Sequence, residues 1–211
     1  MNQPMILCAV FFCGAQQAAE EYFTDLIALG PVISHVGMMP YEKVNGMLNA
    51  SVDFGGRKTG GGSAAKLPLE VLFMQEVFDD FARFVGSHEG LGESLVLFEI
   101  IPFNKIAEVP LEVTAHGSRG EYYNVGTLFK WYKPELDATV RAFSRSVNQK
   151  IHERGETRAE RGVGAYSTYI DYQINPEKMF GVNTERLRQL KLKYDPENLF
   201  WRWHNMLPEK S

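Results

Sequence analysis

Several short stretches carry side chains able to do chemistry. The stretch YSTYIDY sets Tyr166, Thr168 and Tyr172 at even spacing, with Tyr169 and Asp171 on the other side of an extended chain. Tyrosine offers a flat apolar body and one O–H at its tip, so Tyr166 or Tyr169 can serve as a proton donor. Thr168 and Asp171 can hold polar parts of a ligand. In SLVLFEI, Glu99 falls on one side with Leu95, Leu97 and Ile101, and a carboxylate among apolar neighbours is a candidate base or acid. The loop AHGSRG holds His116, which can move protons near neutral pH, and Arg119, whose guanidinium can hold an oxyanion or enolate. In EYYNVGTLFKW, Tyr123, Thr127 and Trp131 share a face and Asn124 stands beside them, a set suited to cradling a small molecule. Each has an ordinary alternative: a core tyrosine, an edge glutamate reaching solvent, two exposed loop residues, or an aromatic stripe in a core.

These residues need elements to position them. Hydrophobic periodicity predicts the order β-α-β-α-β-α-β-β-α-β-α. Met5–Phe12 is a continuous apolar run, expected as a buried central strand, and Val32–Met38 as another. Ala15–Leu29 reads as a helix ended by Gly30-Pro31, and Pro40–Asn49 as a short helix with proline at its first position. Arg57–Leu67 contains GGGS and reads as a flexible loop before a strand, or a bend within one. It is no phosphate loop, since no Lys-Ser/Thr follows in place. Pro68–Val85 is expected as a long helix presenting Val71, Leu72, Phe78, Phe81 and Val85. Ser94–Ile101 and Tyr122–Trp131 are expected as strands. Pro134–Ile151 follows as a helix with Leu136, Val140, Phe143, Val147 and Ile151 in its core stripe. Ala165–Asp171 closes the strands, and Asn183–Tyr194, stopped by Asp195-Pro196, closes the helices. The pattern implies an α+β domain: a mixed, largely antiparallel sheet with amphipathic helices packed on one face.

The order of residues says more than periodicity. The run Y-x-x-Y-x-D and then F-G-x-N-x-x-R-L-x-x-L-K-x-K-Y-D-P-E-N-L-F, from Tyr166 to Phe200, resembles the C-terminal end of the berberine-bridge-enzyme-like FAD-linked oxidases. AHGSRGEYYNVGTLFKWYKPELD resembles the run before that family's last long helix. The resemblance is clear from about Glu93 onward and implies the family's substrate half, which covers a flavin and shapes the pocket. It adds weight to Arg119, because an Arg stands near this place in the family's matching stretch. One position departs. The family pattern is Y-x-N-Y-x-D, with the Asn close to the flavin ring, and here Thr168 takes its place, a hydroxyl instead of an amide.

The family's glycine-rich phosphate contacts, and its flavin-linked His and Cys, have no counterpart in this sequence. We therefore expect one substrate-type domain over residues 1–211, without the FAD-binding half and with no cofactor bound by this chain alone; FAD would require a separate half. Without flavin, hydride transfer is unavailable. Acid–base or shape-guided isomerisation, dehydration or cyclisation of a hydrophobic, natural-product-like molecule remains. The alternatives are a split FAD-linked oxidase and a non-catalytic binding module. The uncovered sheet face implies a homodimer or another partner over it.

Bulk properties bound the rest. The chain has 211 residues, 45% hydrophobic and 23% charged, with net charge −4. That is enough for a sizeable core. No basic run points to nucleic acid and no stretch is long enough to span a membrane. Cys8 and Cys13 are expected as buried apolar residues and not as a disulfide, their odd separation setting them on opposite faces of a strand. With scattered His, they give no metal pattern. A reduced, cytoplasmic setting is expected.

Overall fold

The computed structural model describes residues 4–47, 49, 54–156, 169, 175–202 and 204–207. Where the sequence reads as one domain, these residues divide into two compact units, Met5–Gly55 and Gly56–Ser211 with Pro4.

The first unit holds α1 (Gln16–Tyr22), α2 (Thr24–Ala28) and a 3-10 turn over Tyr41–Gly46. The expected helix over Ala15–Leu29 is thus split at Phe23. Aromatic rings gather there: Phe12, Tyr22 and Phe23 lie with centroids 5.0–6.4 Å apart. The two strands expected here do not form. Residues 5–12 and 32–38 are neither helix nor strand, and Met5, Leu7 and Val32 are exposed. An apolar run becomes a strand only when a neighbour supplies the hydrogen-bond ladder, and no described residue pairs with either segment. Cys8 and Cys13 are free and exposed, not buried.

The second unit is built on a three-stranded antiparallel sheet of β1 (Arg57–Lys66), β2 (Leu95–Glu99) and β3 (Tyr122–Trp131), with β3 in the centre. Its helices are α3 (Val71–Ser87), α4 (Asn104–Ala107), α5 (Asp137–Glu156), α6 (Pro176–Phe180) and α7 (Thr184–Tyr194). The register pairs Thr127 with both Gly61 and Val96, and Val125 with both Ser63 and Phe98. Odd-numbered residues of β3 therefore face one way. There Val125, Phe129 and Trp131 are fully buried against Phe73, Val77, Phe81 and Phe84 of α3 and Val140, Phe143, Val147 and Ile151 of α5. Phe84 and Phe143 stack at 3.8 Å between the two helices, and Lys150 of α5 pairs with Asp80 of α3. This is the expected helix layer on one face of a mainly antiparallel sheet.

Two local expectations need correction. Arg57–Leu67 is not a loop: Arg57–Lys66 is a ten-residue strand. Its glycines serve close packing. A Cβ on Gly61 would lie 2.2 Å from Asn148 Nδ2 of α5. The bare backbone lets Asn148 reach β3, where its amide donates to Thr127 Oγ1 at 2.9 Å and to Ser144 O at 2.9 Å. Val71 and Leu72 are not core, being 81% and 79% exposed. The buried stripe of α3 runs instead through Phe73 and Val77, four residues apart on one face of the helix.

After α7, Asp195 holds the chain reversal. It accepts from Lys191 Nζ at 2.5 Å, from Leu199 N at 2.8 Å and from Phe200 N at 3.0 Å. The Lys191 bond, and then the two backbone N–H groups, pull its carboxyl below the usual carboxylate range against the cost of burial. A depressed folded pKa adds stability that is present above the unfolded value, about 4, and is lost as pH falls through the folded one. Among the described residues no helix is long and apolar enough to cross a membrane, and no three His, Cys, Asp or Glu side chains gather as a metal site.

Two tests follow. Phe129→Ala should cost about 3–5 kcal/mol in chemical denaturation, whereas Val71→Ala should stay within about 0.5 kcal/mol. Asp195→Asn should lower the NMR protection factors of the Leu199 and Phe200 amides at pH 7, and the gap from wild type should close as pH drops below the carboxylate range.

Candidate functional site

The even-numbered residues of β3 face away from α3 and α5. On this side Gly126 is paired with Gly62 of β1 and Leu97 of β2, and Asn124 with Ala64 and Glu99. Neighbouring glycines on adjacent strands leave a shallow floor. Tyr169 lies on it: a Cβ on Gly62 would come 2.2 Å from the Tyr169 Cβ and 2.9 Å from its ring, and one on Gly126 3.4 Å from Cε2. From that seat the Tyr169 O–H donates to Glu99 Oε1 at 2.5 Å, across 70 residues of sequence.

The structure brings together Tyr169, Glu99 and Asn124 and sorts the other candidates elsewhere. Leu97 flanks Glu99 on this face away from the helices, as the alternation of β2 implies. Tyr123, Thr127 and Trp131 do share a face, but it is the helix-covered one. Thr127 is bonded to Asn148, and Trp131 is fully buried with its indole N–H donating to Asp137 Oδ1 at 2.8 Å. Arg141 lies over the Trp131 ring, and Tyr123 packs near Phe103 at 6.2 Å. The stripe is core, because helix packing needs the side with the larger apolar surface. Tyr166, Thr168, Asp171 and the rest of the expected strand Ala165–Asp171, apart from Tyr169, lie outside the described residues.

His116 and Arg119 share Thr114. Its hydroxyl oxygen accepts from Arg119 Nη2 at 2.5 Å and from the His116 backbone N–H at 3.3 Å. Arg119 Nε is buried with no hydrogen-bond partner. Burial, then the Arg119 charge, holds the His116 imidazole below its ordinary range, against a raising contribution from the Ser118 backbone. The shift favours the neutral imidazole. The Tyr122 O–H reaches the Ser118 carbonyl at 3.5 Å, so the loop meets the open face at the Tyr122 end of β3. Sequence reasoning missed Gly62 and Gly126. The only signal was glycine in strands that otherwise carry side chains, and it needed the register to be read.

Comparison with known proteins converges on one family. The family model described as berberine and berberine like matches residues 165–206. FAD-linked oxidoreductase pgmH of Aspergillus terreus is 28% identical over 211 residues, covering 94% of this chain and 44% of its own length. FAD-linked oxidoreductase anuG of Penicillium roqueforti is 28% identical over 197 residues, covering 90% and 38%. Among solved structures, a variant of Physcomitrella patens BBE-like 1 superposes with a TM-score of 0.69 at 13% identity, covering 94% of this chain and 43% of its own. A variant of berberine bridge enzyme gives 0.68 at 15%, covering 93% and 45%. The chain is thus similar to berberine-bridge-enzyme-like FAD-linked oxidoreductases in sequence and in fold. It spans less than half the length of the curated relatives it matches.

The family implies FAD, whose diphosphate is held by convergent backbone N–H groups at a turn or helix start. The glycine run Gly60–Gly62 is instead extended strand, paired with Leu128, Thr127 and Gly126. That run therefore presents no turn of convergent N–H groups.

Gly62→Ala should push the Tyr169 ring off its seat, seen as loss of nuclear Overhauser contacts between the ring and Gly126. Gly126→Ala, whose methyl meets the ring at ordinary distance, should leave Tyr169 near Glu99.

Proposed function

We propose that this chain is a substrate-binding, proton-transferring module that works on a hydrophobic small molecule over the open sheet face, with no flavin of its own. The observation that carries this is the Tyr169 O–H bonded to Glu99 at 2.5 Å over the glycine floor. Glu99 takes a proton from the bound molecule, and Tyr169 gives one back at another atom. The proton then passes from Glu99 to Tyr169 along their hydrogen bond, restoring both. The net change is a proton shift: an isomerisation, or with bond breaking or closure in the substrate a dehydration or cyclisation. His116 and Arg119, at the Tyr122 end of the face, supply a second base and an oxygen-holding cation. Leu97, Ile100 and Ile101 are exposed on or beside the face, which suits a second copy of the chain or another partner covering it.

A second reading has its own support. The curated relatives carry the name FAD-linked oxidoreductase and are more than twice as long as the part matched here. In that reading this chain covers the substrate while a separate part binds FAD.

Deuterium uptake from D2O into a panel of hydrophobic enolisable ketones, followed by mass spectrometry, tests the first reading. The purified protein should catalyse uptake, and Glu99→Gln and Tyr169→Phe should each slow it about a hundredfold or more. Uptake unchanged in both variants would sink it. Flavin absorbance in the purified protein would favour the second.

A further inference from the structure

Asn124 stands directly opposite Glu99 in the β2–β3 ladder, on the face away from α3 and α5. Side chains at such positions lie about 4.5–5.5 Å apart at Cβ. Its amide oxygen is buried and has no hydrogen-bond partner. Native folds rarely leave such an atom unmatched, because stripping it of water costs about 1–3 kcal/mol. The surroundings explain why no side chain bonds it. Its neighbours across the ladder are Ala64, which has nothing to donate, and Glu99, which already accepts from Tyr169. The corner thus offers acceptors, Asn124 Oδ1 and the second Glu99 oxygen, while the Tyr169 donor is engaged. Leu97 supplies apolar surface next to it.

We infer that Asn124 is a specificity subsite that accepts a hydrogen bond from a hydroxyl on the bound molecule, so that the ligand class is a hydroxylated apolar compound, phenol or alcohol, and not its ether. This rests on the proposed role of the open face but needs no proton transfer. The hydroxyl bonds Asn124, the apolar body lies along Leu97, and the atom losing its proton faces Glu99.

The test is binding, measured by calorimetry with 2-naphthol and its methyl ether. The wild-type protein should prefer the naphthol by about five- to tenfold, the worth of one net hydrogen bond. Asn124→Ala should remove the preference by weakening naphthol alone, and Asn124→Asp, which keeps an acceptor oxygen, should retain it. Equal binding of both compounds by wild type, binding of neither, or a preference that survives Asn124→Ala overturns the inference. Glu99→Gln separates the two readings: it should keep the preference while losing deuterium uptake. A preference in a protein that never catalyses uptake upholds this subsite and removes proton transfer.

Discussion

The second unit depends on the two-residue alternation of β3. This strand is paired along both edges, so neither of its faces can shift register without moving a neighbouring strand. Its odd positions are filled by Val125, Phe129 and Trp131, and burying them under α3 and α5 fixes which side is core. The even positions are then committed to the opposite side, whatever their chemistry. Asn124 and Gly126 lie on the face away from α3 and α5 as a consequence of what Phe129 and Trp131 must do.

That constraint turns a plain sheet into a site. Antiparallel pairing puts Gly62 beside Gly126 and Glu99 beside Asn124, residues drawn from three separate stretches of the chain. The missing side chains of the glycines matter as much as the polar groups. A methyl at Gly62 would occupy the space of the Tyr169 Cβ, and without that seat the phenol could not reach Glu99. The same run does opposite work on its other side, where Gly61 admits Asn148 of α5 and lets a buried amide satisfy Thr127. Adjacent glycines thus relieve crowding on alternate faces of one strand.

Similarity to the FAD-linked oxidoreductases sits comfortably with this arrangement. A fold retained at 13–15% identity is retained through its packing pattern, since few individual side chains remain in common. In this chain that pattern is a helix layer on one side and a shallow, glycine-floored face on the other. Polar groups of the face belong to different strands and a connecting segment, so each can vary without disturbing the core beneath.

Much of this was legible in the residues themselves. Tyr122–Trp131 declares itself a strand by alternation, the α5 stripe of Val140, Phe143, Val147 and Ile151 by its three- and four-residue spacing, and the stop after Tyr194 by Asp195-Pro196. These are local properties, set by backbone geometry and side-chain period. The order Tyr166 to Phe200 also carried the family resemblance. Which face of β3 became core was not local. Tyr123, Thr127 and Trp131 looked equally suited to a ligand, and only the packing of α3 and α5 assigned them to the interior. Likewise Met5–Phe12 has the composition of a buried strand, yet composition cannot supply a pairing partner. The meeting of Tyr169 with Glu99 across 70 residues required strand register and a glycine seat, quantities that exist only once separate segments are held against one another.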